Sequence, residues 1–200
     1  MPPDRDLAAF EARASTYESG WRGRLHHDIA DRTATLAVSA CPGARRVLDV
    51  GCGTGYLLGQ LAARYPEAGE LAGVNPVPSM VEVATAAVSG DERLSISCAV
   101  AEHLTYPDNT FDLVVSTTSF DHWEDQAAGL AECARVLRPG GTLVLVDQFS
   151  AWLLPTLVGS RRGKARTKQR CNRLLRDAGF GSVAWHRCYA VIINAVIATT

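Results

Sequence analysis

Residues 47–55 read Val-Leu-Asp-Val-Gly-Cys-Gly-Thr-Gly, a short apolar run that passes directly into glycines at 51, 53 and 55. Val47, Leu48 and Val50 suit a strand buried on both faces. Gly51, Gly53 and Gly55 accept backbone angles and close approaches that a Cβ would obstruct. Apolar positions at helical spacing follow from Tyr56 to Arg64, so the loop should open onto a helix N-terminus, whose free N–H groups favour a negatively charged or electron-rich partner. A dinucleotide fingerprint would put its third glycine where Tyr56 stands, so the spacing argues against a nicotinamide dinucleotide.

Around this turn strands and helices alternate. Apolar runs predict strands at Val47–Val50, Leu71–Val74, Leu94–Cys98, Phe111–Ser116, Thr142–Val146, Val183–Arg187 and Ala190–Ala198. Helical spacing predicts helices at Arg22–Val38, Tyr56–Arg64, Ser79–Val88, Gln126–Leu137 and Thr167–Ala178. Gly140 and Gly141 should turn a helix into the next strand, and Gly179 falls where a left-handed helix cap is expected. The alternation implies a layered α/β fold with right-handed crossovers between parallel strands.

Composition narrows the function classes. Two hundred residues, 47% hydrophobic, suit one globular domain over 1–200. Within it, 1–40 would form an N-terminal helical lid segment and 41–200 the core. A formal net charge of −1 gives no global reason to expect nucleic acid or an anionic membrane. Arg161, Arg162, Lys164, Arg166, Lys168 and Arg170 form a local basic run, read either as a solvated loop and helix start or as an anionic-substrate or RNA patch. The six cysteines show no CxxC pair and no histidine at zinc spacing, so no metal site is expected and the thiols are read as reduced. Met1 to Ala14 lacks an apolar signal core and Ala190 to Thr200 is too short to span a bilayer, which makes a cytoplasmic location the expectation.

Four ordered segments resemble the class I S-adenosylmethionine-dependent methyltransferases of the small-molecule kind. Val47 to Leu57 matches the family's first motif and Leu71 to Ala84 (LAGVNPVPSMVEVA) its second-strand segment. Ala101 to Val115 (AEHLTYPDNTFDLVV) is similar to the third, and Arg135 to Val146 (RVLRPGGTLVLV) to the Pro-Gly-Gly turn before the fifth strand. The likeness runs from about residue 10 to 190. It implies a Rossmann-like three-layer sandwich whose seven-stranded sheet is mostly parallel, with the last strand antiparallel between its neighbours. Ligands of such sheets bind beyond the carboxyl ends of the strands at the topological switch point, which gathers the turns after Val50, Val74, Cys98 and Ser116 into one site.

The resemblance implies S-adenosylmethionine as cofactor and assigns contacts to it. Asp49 would support the glycine loop, although a purely structural role is equally open. Gly51, Cys52, Gly53 and Gly55 would pass beside the methionine part, with Cys52 chosen for small size. Asn75 stands where the family usually has an acid that accepts both ribose hydroxyls, and Val100 where relatives often carry an aspartate for the adenine amino group. Asn75 keeps an acceptor oxygen, so partial loss of affinity is expected there. Pro76 and Met80 would pack on the adenosine, Ala101 and Glu102 would border the base, and Thr117 opens the turn that closes the site. Tyr17, in the covering segment, would touch the cofactor's carboxylate, and Trp21 would anchor that segment to the core. His26 and His27, being adjacent on a helix, should point in different directions and make a poor metal pair.

Methyl transfer from a sulfonium needs mainly positioning, and a base only when the acceptor holds its proton. His122, in Ser119-Phe-Asp-His-Trp-Glu-Asp125, has a side chain suited to that task. Packing, or capping of the next helix, is the bland reading. Asp147, Gln148, Phe149 and Trp152 follow the fifth strand, where acceptor pockets form in relatives or where a loop simply packs on the core. These features imply an enzyme acting on a small acceptor, a monomer or homodimer. The alternative is a methyltransferase-like binding or regulatory protein weakened in catalysis, a reading motivated by Asn75 and Val100.

Overall fold

The computed structural model describes residues 11, 20–149, 167–190 and 192–200. Seven strands form one sheet: β1 Arg46–Val50, β2 Glu70–Asn75, β3 Leu94–Cys98, β4 Phe111–Thr117, β5 Leu137–Gln148, β6 Ser182–Tyr189 and β7 Ile193–Thr199. Their spatial order is β3-β2-β1-β4-β5-β7-β6. Pairings from β3 through β5 are parallel, whereas β7 runs antiparallel to both β5 and β6, between which it lies. Helices among the described residues include α1 Gly20–Ala40, α2 Tyr56–Arg64, α3 Pro78–Val88, α4 Gln126–Val136 and α5 Lys168–Asp177.

Side chains alternate across each strand, and this alternation sets the two faces. Val47, Leu113, Val115, Val144 and Val146 pack with Ile29, Ala34 and Ala37 of α1 and Leu57, Leu58 and Leu61 of α2. Leu48, Val50, Val114, Leu143 and Leu145 pack on the other face with Leu130, Cys133 and Val136 of α4 and Cys171 and Leu175 of α5. By the same period Asp49 and Thr117 share the α1/α2 face, although they are polar. At the opposite edge of the sheet, buried Asp112 accepts from the backbone N–H groups of Arg45 and Arg46 at 2.6 and 3.0 Å and pairs with Arg138 at 2.8 Å. That carboxylate ties the start of β1 to β4 and β5.

Two boundaries differ from the sequence expectation by more than two residues. β5 begins at Leu137 rather than Thr142, because Leu137 pairs with Phe111 across an irregularity and Gly140 donates to the Thr200 carbonyl. The final strand begins at Ile193, since Ala190 (φ 47°) forms the turn after β6. Gly179, with φ 97°, stands just past α5 as expected. All six cysteines are free thiols, and among the described residues no helix is long and apolar enough to cross a membrane.

Candidate functional site

The glycine loop lies at the carboxyl end of β1, and the N–H groups of Gly51 and Cys52 both donate to the Val74 carbonyl at 2.8 and 3.0 Å. Gly51 has φ 80°, and a Cβ added there would lie 2.3 Å from Ser119 Oγ. Conformation and space therefore both require glycine. Ser119 itself was not singled out by sequence reasoning. Its Oγ lies 3.0 Å from the Val50 carbonyl, 2.8 Å from Ser116 Oγ and 3.2 Å from Trp123 Nε1. A Thr-Thr-Ser run carries no local signal for this role. Gly55, at φ 84°, precedes α2 and packs against Ala84 and Val88 of α3, so it shapes the loop rather than lining a cavity.

Two confluent clefts open beside the loop and share Gly51, Gly53, Thr117 and Thr118. The larger, about 240 Å³, includes Asn75, Pro76, Met80, Ala101, Glu102, His122 and Trp123 in its lining. The smaller, about 70 Å³, is bordered by Gly23, His26 and His27 of α1 together with Asp49, Cys52 and Tyr56. The expected site residues are thus brought together, apart from Gly55. Tyr17 and Trp152 lie outside the described residues, as do positions 161–166 of the basic run. Trp21, expected as an anchor of the covering segment, is 65% exposed. His26 and His27, expected to diverge, border the same small cleft, and the His27 ring stacks on Tyr56 with centroids 3.8 Å apart.

Burial dominates the electrostatics. Asp49 is 1% exposed, its Oδ2 has no hydrogen-bond partner among the described residues, and loss of hydration pushes its pKa up to about 7. Cys52 is also driven upward, first by burial and then by Asp49, so it stays a thiol and packs under the loop. Asn75 Oδ1 accepts from the Val77 N–H at 2.9 Å, a local turn that occupies part of the acceptor capacity. Glu102 Oε1 accepts from the Asp125 N–H at 3.0 Å, which fixes the turn after β3 to the start of α4. Thr117 Oγ1 is a second buried polar atom without a partner among the described residues.

The helix starts differ in a telling way. Asp125 caps α4, accepting from the N–H groups of Ala127 and Ala128, and Thr167 caps α5. Gly55 and Val77, ahead of α2 and α3, provide no side-chain cap. Two of the helix starts beside the clefts therefore keep first-turn N–H groups unmet by a capping side chain.

His122 is exposed on the rim of the larger cleft, at the end of the 3₁₀ turn Phe120–His122. The helix cap is Asp125, so capping is not the role of His122. Asp147, at the end of β5, accepts from the Asp121 N–H at 3.1 Å and the Gln148 N–H at 2.6 Å. Burial raises its pKa to about 6, while the Gln148 N–H and neighbouring His122 oppose the shift. Phe149, the next aromatic, is buried in the core beside Phe120 and Trp185, as the packing alternative had it.

A family model described as a methyltransferase domain matches residues 48–145, the span from β1 to β5 that builds these clefts. The chain belongs to the class I S-adenosylmethionine-dependent methyltransferases. It is 40% identical over 118 residues to the demethylmenaquinone methyltransferase of Deinococcus radiodurans, covering 58% of this chain and 48% of that protein. Over 138 residues it is 34% identical to the malonyl-[acyl-carrier protein] O-methyltransferase of Hahella chejuensis, covering 68% of this chain and 47% of that one. The chain spans about half the length of these curated relatives. A SAM-dependent methyltransferase from Aquifex aeolicus shares the fold, with a TM-score of 0.74 over 94% of this chain and 97% of that one, at 22% identity.

Proposed function

We propose that the chain transfers a methyl group to a small acceptor, with S-adenosylmethionine in the two confluent clefts. One observation carries this reading: a bare glycine loop separates an apolar cleft sized for a flat base from a small cleft that holds a buried carboxylate. The residues suit the cofactor's parts. Pro76, Met80, Ala101 and Trp123 wall the larger cleft for the base, and Asn75 would meet the ribose. Asp49 and the uncapped start of α2 would receive the charged amino-acid end. When bound, the cofactor supplies a methyl group already activated by its sulfonium.

Gly51, Gly53 and Thr117, at the junction of the clefts, would hold the reacting centre, and α1 covers it from the side of His26 and His27. His122 on the rim would take the proton from a hydroxyl or amine acceptor. A small acceptor agrees with the names of the matched relatives, demethylmenaquinone and malonyl-[acyl-carrier protein] methyltransferases. Asn75 and Val100 favour the second reading, a binding or regulatory protein with weak transfer.

Calorimetric titration with S-adenosylhomocysteine, followed by methyl-transfer assays on a panel of quinols, phenols and amines, separates the two. The enzyme reading expects binding, and a His122→Ala variant that loses about a hundredfold or more in kcat while its affinity stays within twofold. Binding with no transfer to any acceptor would favour the regulatory reading. Absence of binding at millimolar ligand would defeat both.

A further inference from the structure

We infer that Ser119 is a positioning residue for the cofactor, its hydroxyl clasping the glycine loop to the indole wall of the larger cleft. This rests on the cofactor occupying those clefts. A serine hydroxyl has one proton to donate and two lone pairs. Here one consistent assignment uses all three: donation to the Val50 carbonyl at 3.0 Å, acceptance from Ser116 Oγ at 2.8 Å, and acceptance from Trp123 Nε1 at 3.2 Å. Ser116 is fully buried, so its own hydroxyl proton is best directed at Ser119.

The three partners belong to different parts of the site. Val50 is the last residue of β1 and opens the glycine loop, Ser116 lies near the end of β4, and Trp123 walls the larger cleft. The Ser119 side chain also fills the space that a Cβ on Gly51 would need. Trp123 is 6% exposed and already confined on two other sides. Its ring lies against Gly129, where an added Cβ would come within 2.4 Å of Cε3, and it meets Phe120 edge-on at 5.1 Å. Ser119 supplies a further restraint, a hydrogen bond on Nε1 that fixes the rotation of the indole relative to the loop. A buried network with every member satisfied holds one geometry, and losing its central hydroxyl leaves Trp123 Nε1 and the Val50 carbonyl to find other partners.

The test is a double-mutant cycle on the full chain, read by calorimetric titration with S-adenosylhomocysteine well below the unfolding temperature. Ser119→Ala should raise Kd about tenfold, and KM for S-adenosylmethionine in proportion, with kcat within twofold. Trp123→Phe keeps an aromatic wall but removes the indole donor, and should raise Kd several-fold. In the Ser119→Ala background it should add little, because the bond it removes is already gone. Ligand-induced quenching of Trp123 fluorescence, taken as the difference between each protein and its Trp123→Phe counterpart, should shrink when Ser119 is replaced. A Ser119→Ala variant whose Kd stays within twofold of wild type, or single effects that simply multiply, would overturn the inference. If Ser119→Ala does not fold, Trp123→Phe decides alone, and an unchanged Kd overturns it. Failure of the wild-type chain to bind would instead remove the cofactor reading beneath it.

Discussion

Replacing Asp49 with asparagine should stabilise the ligand-free protein and weaken its hold on the cofactor. The Asp49 carboxyl is 1% exposed, and burial lifts its pKa from 3.8 to about 7. Because the folded value lies above the unfolded one, the folded state holds this proton longer. The associated stability is complete below about pH 4 and is lost as pH rises through 7. Ionising Asp49 in place thus costs up to about 4 kcal/mol at pH 8 relative to a carboxyl in water. Asp49→Asn removes that cost, so its advantage over wild type should reach about 2–4 kcal/mol at pH 8 and shrink to about 1 kcal/mol or less near pH 4.5. Denaturant unfolding at the two pH values measures both quantities. The ammonium group at the cofactor's amino-acid end, which S-adenosylhomocysteine retains, should reverse the balance by favouring the ionised carboxylate, so binding S-adenosylhomocysteine at pH 6.5 should release up to about 0.8 proton, read from calorimetry in buffers of different ionisation enthalpy. A variant no more stable than wild type at pH 8, with proton release unchanged, would refute the reasoning.

Two further substitutions probe the loop and the ribose position. Gly51→Ala forces a Cβ to 2.3 Å from Ser119 Oγ at φ 80°, which should cost about 2–4 kcal/mol in thermal or denaturant unfolding. Gly53→Ala, with nothing within 4 Å of its Cβ, should cost about 1 kcal/mol, and equal losses would show that conformation alone matters. Asn75→Asp keeps one oxygen for the Val77 N–H and presents a second, charged one to the larger cleft, so affinity for S-adenosylhomocysteine should rise about tenfold by titration. Unchanged or weaker affinity would show that residue 75 does not meet the ribose.

The parts of the fold visible in the sequence are those fixed by local pattern. Val47 to Gly55 encodes a buried strand, a turn and a helix start within nine residues, and all three form where expected. The start of β5 was not visible, because its pairing depends on Phe111, 26 positions upstream, and on Thr200, 60 positions or more downstream. The same distinction divides the site. Gly51 announces itself by its neighbours in sequence, whereas Ser119 matters through contacts with Val50, 69 residues away, and no spacing rule points to it. The two histidines of α1 are a different case: about 100° separates their directions, as adjacency on a helix requires, and both border the small cleft.

Backbone strain adds to the case that this edge of the sheet is the working edge. Among the described residues three non-glycine positions have positive φ: Asn109, Ala190 and Thr118, at 56°, 47° and 53°. Asparagine tolerates that region, and Ala190 lies in the turn after β6, so neither needs a further reason. Thr118 is β-branched, the kind of residue for which the conformation is least expected, at a cost of about 1–2 kcal/mol. It is held there by its N–H on the Val146 carbonyl at 2.8 Å and by the Ser119 network that follows it, and it borders both clefts. A relaxed backbone at this point would carry Ser119 and Trp123 away from the glycine loop. The strain is therefore located where a fixed geometry serves ligand capture, consistent with a site organised before its ligand arrives.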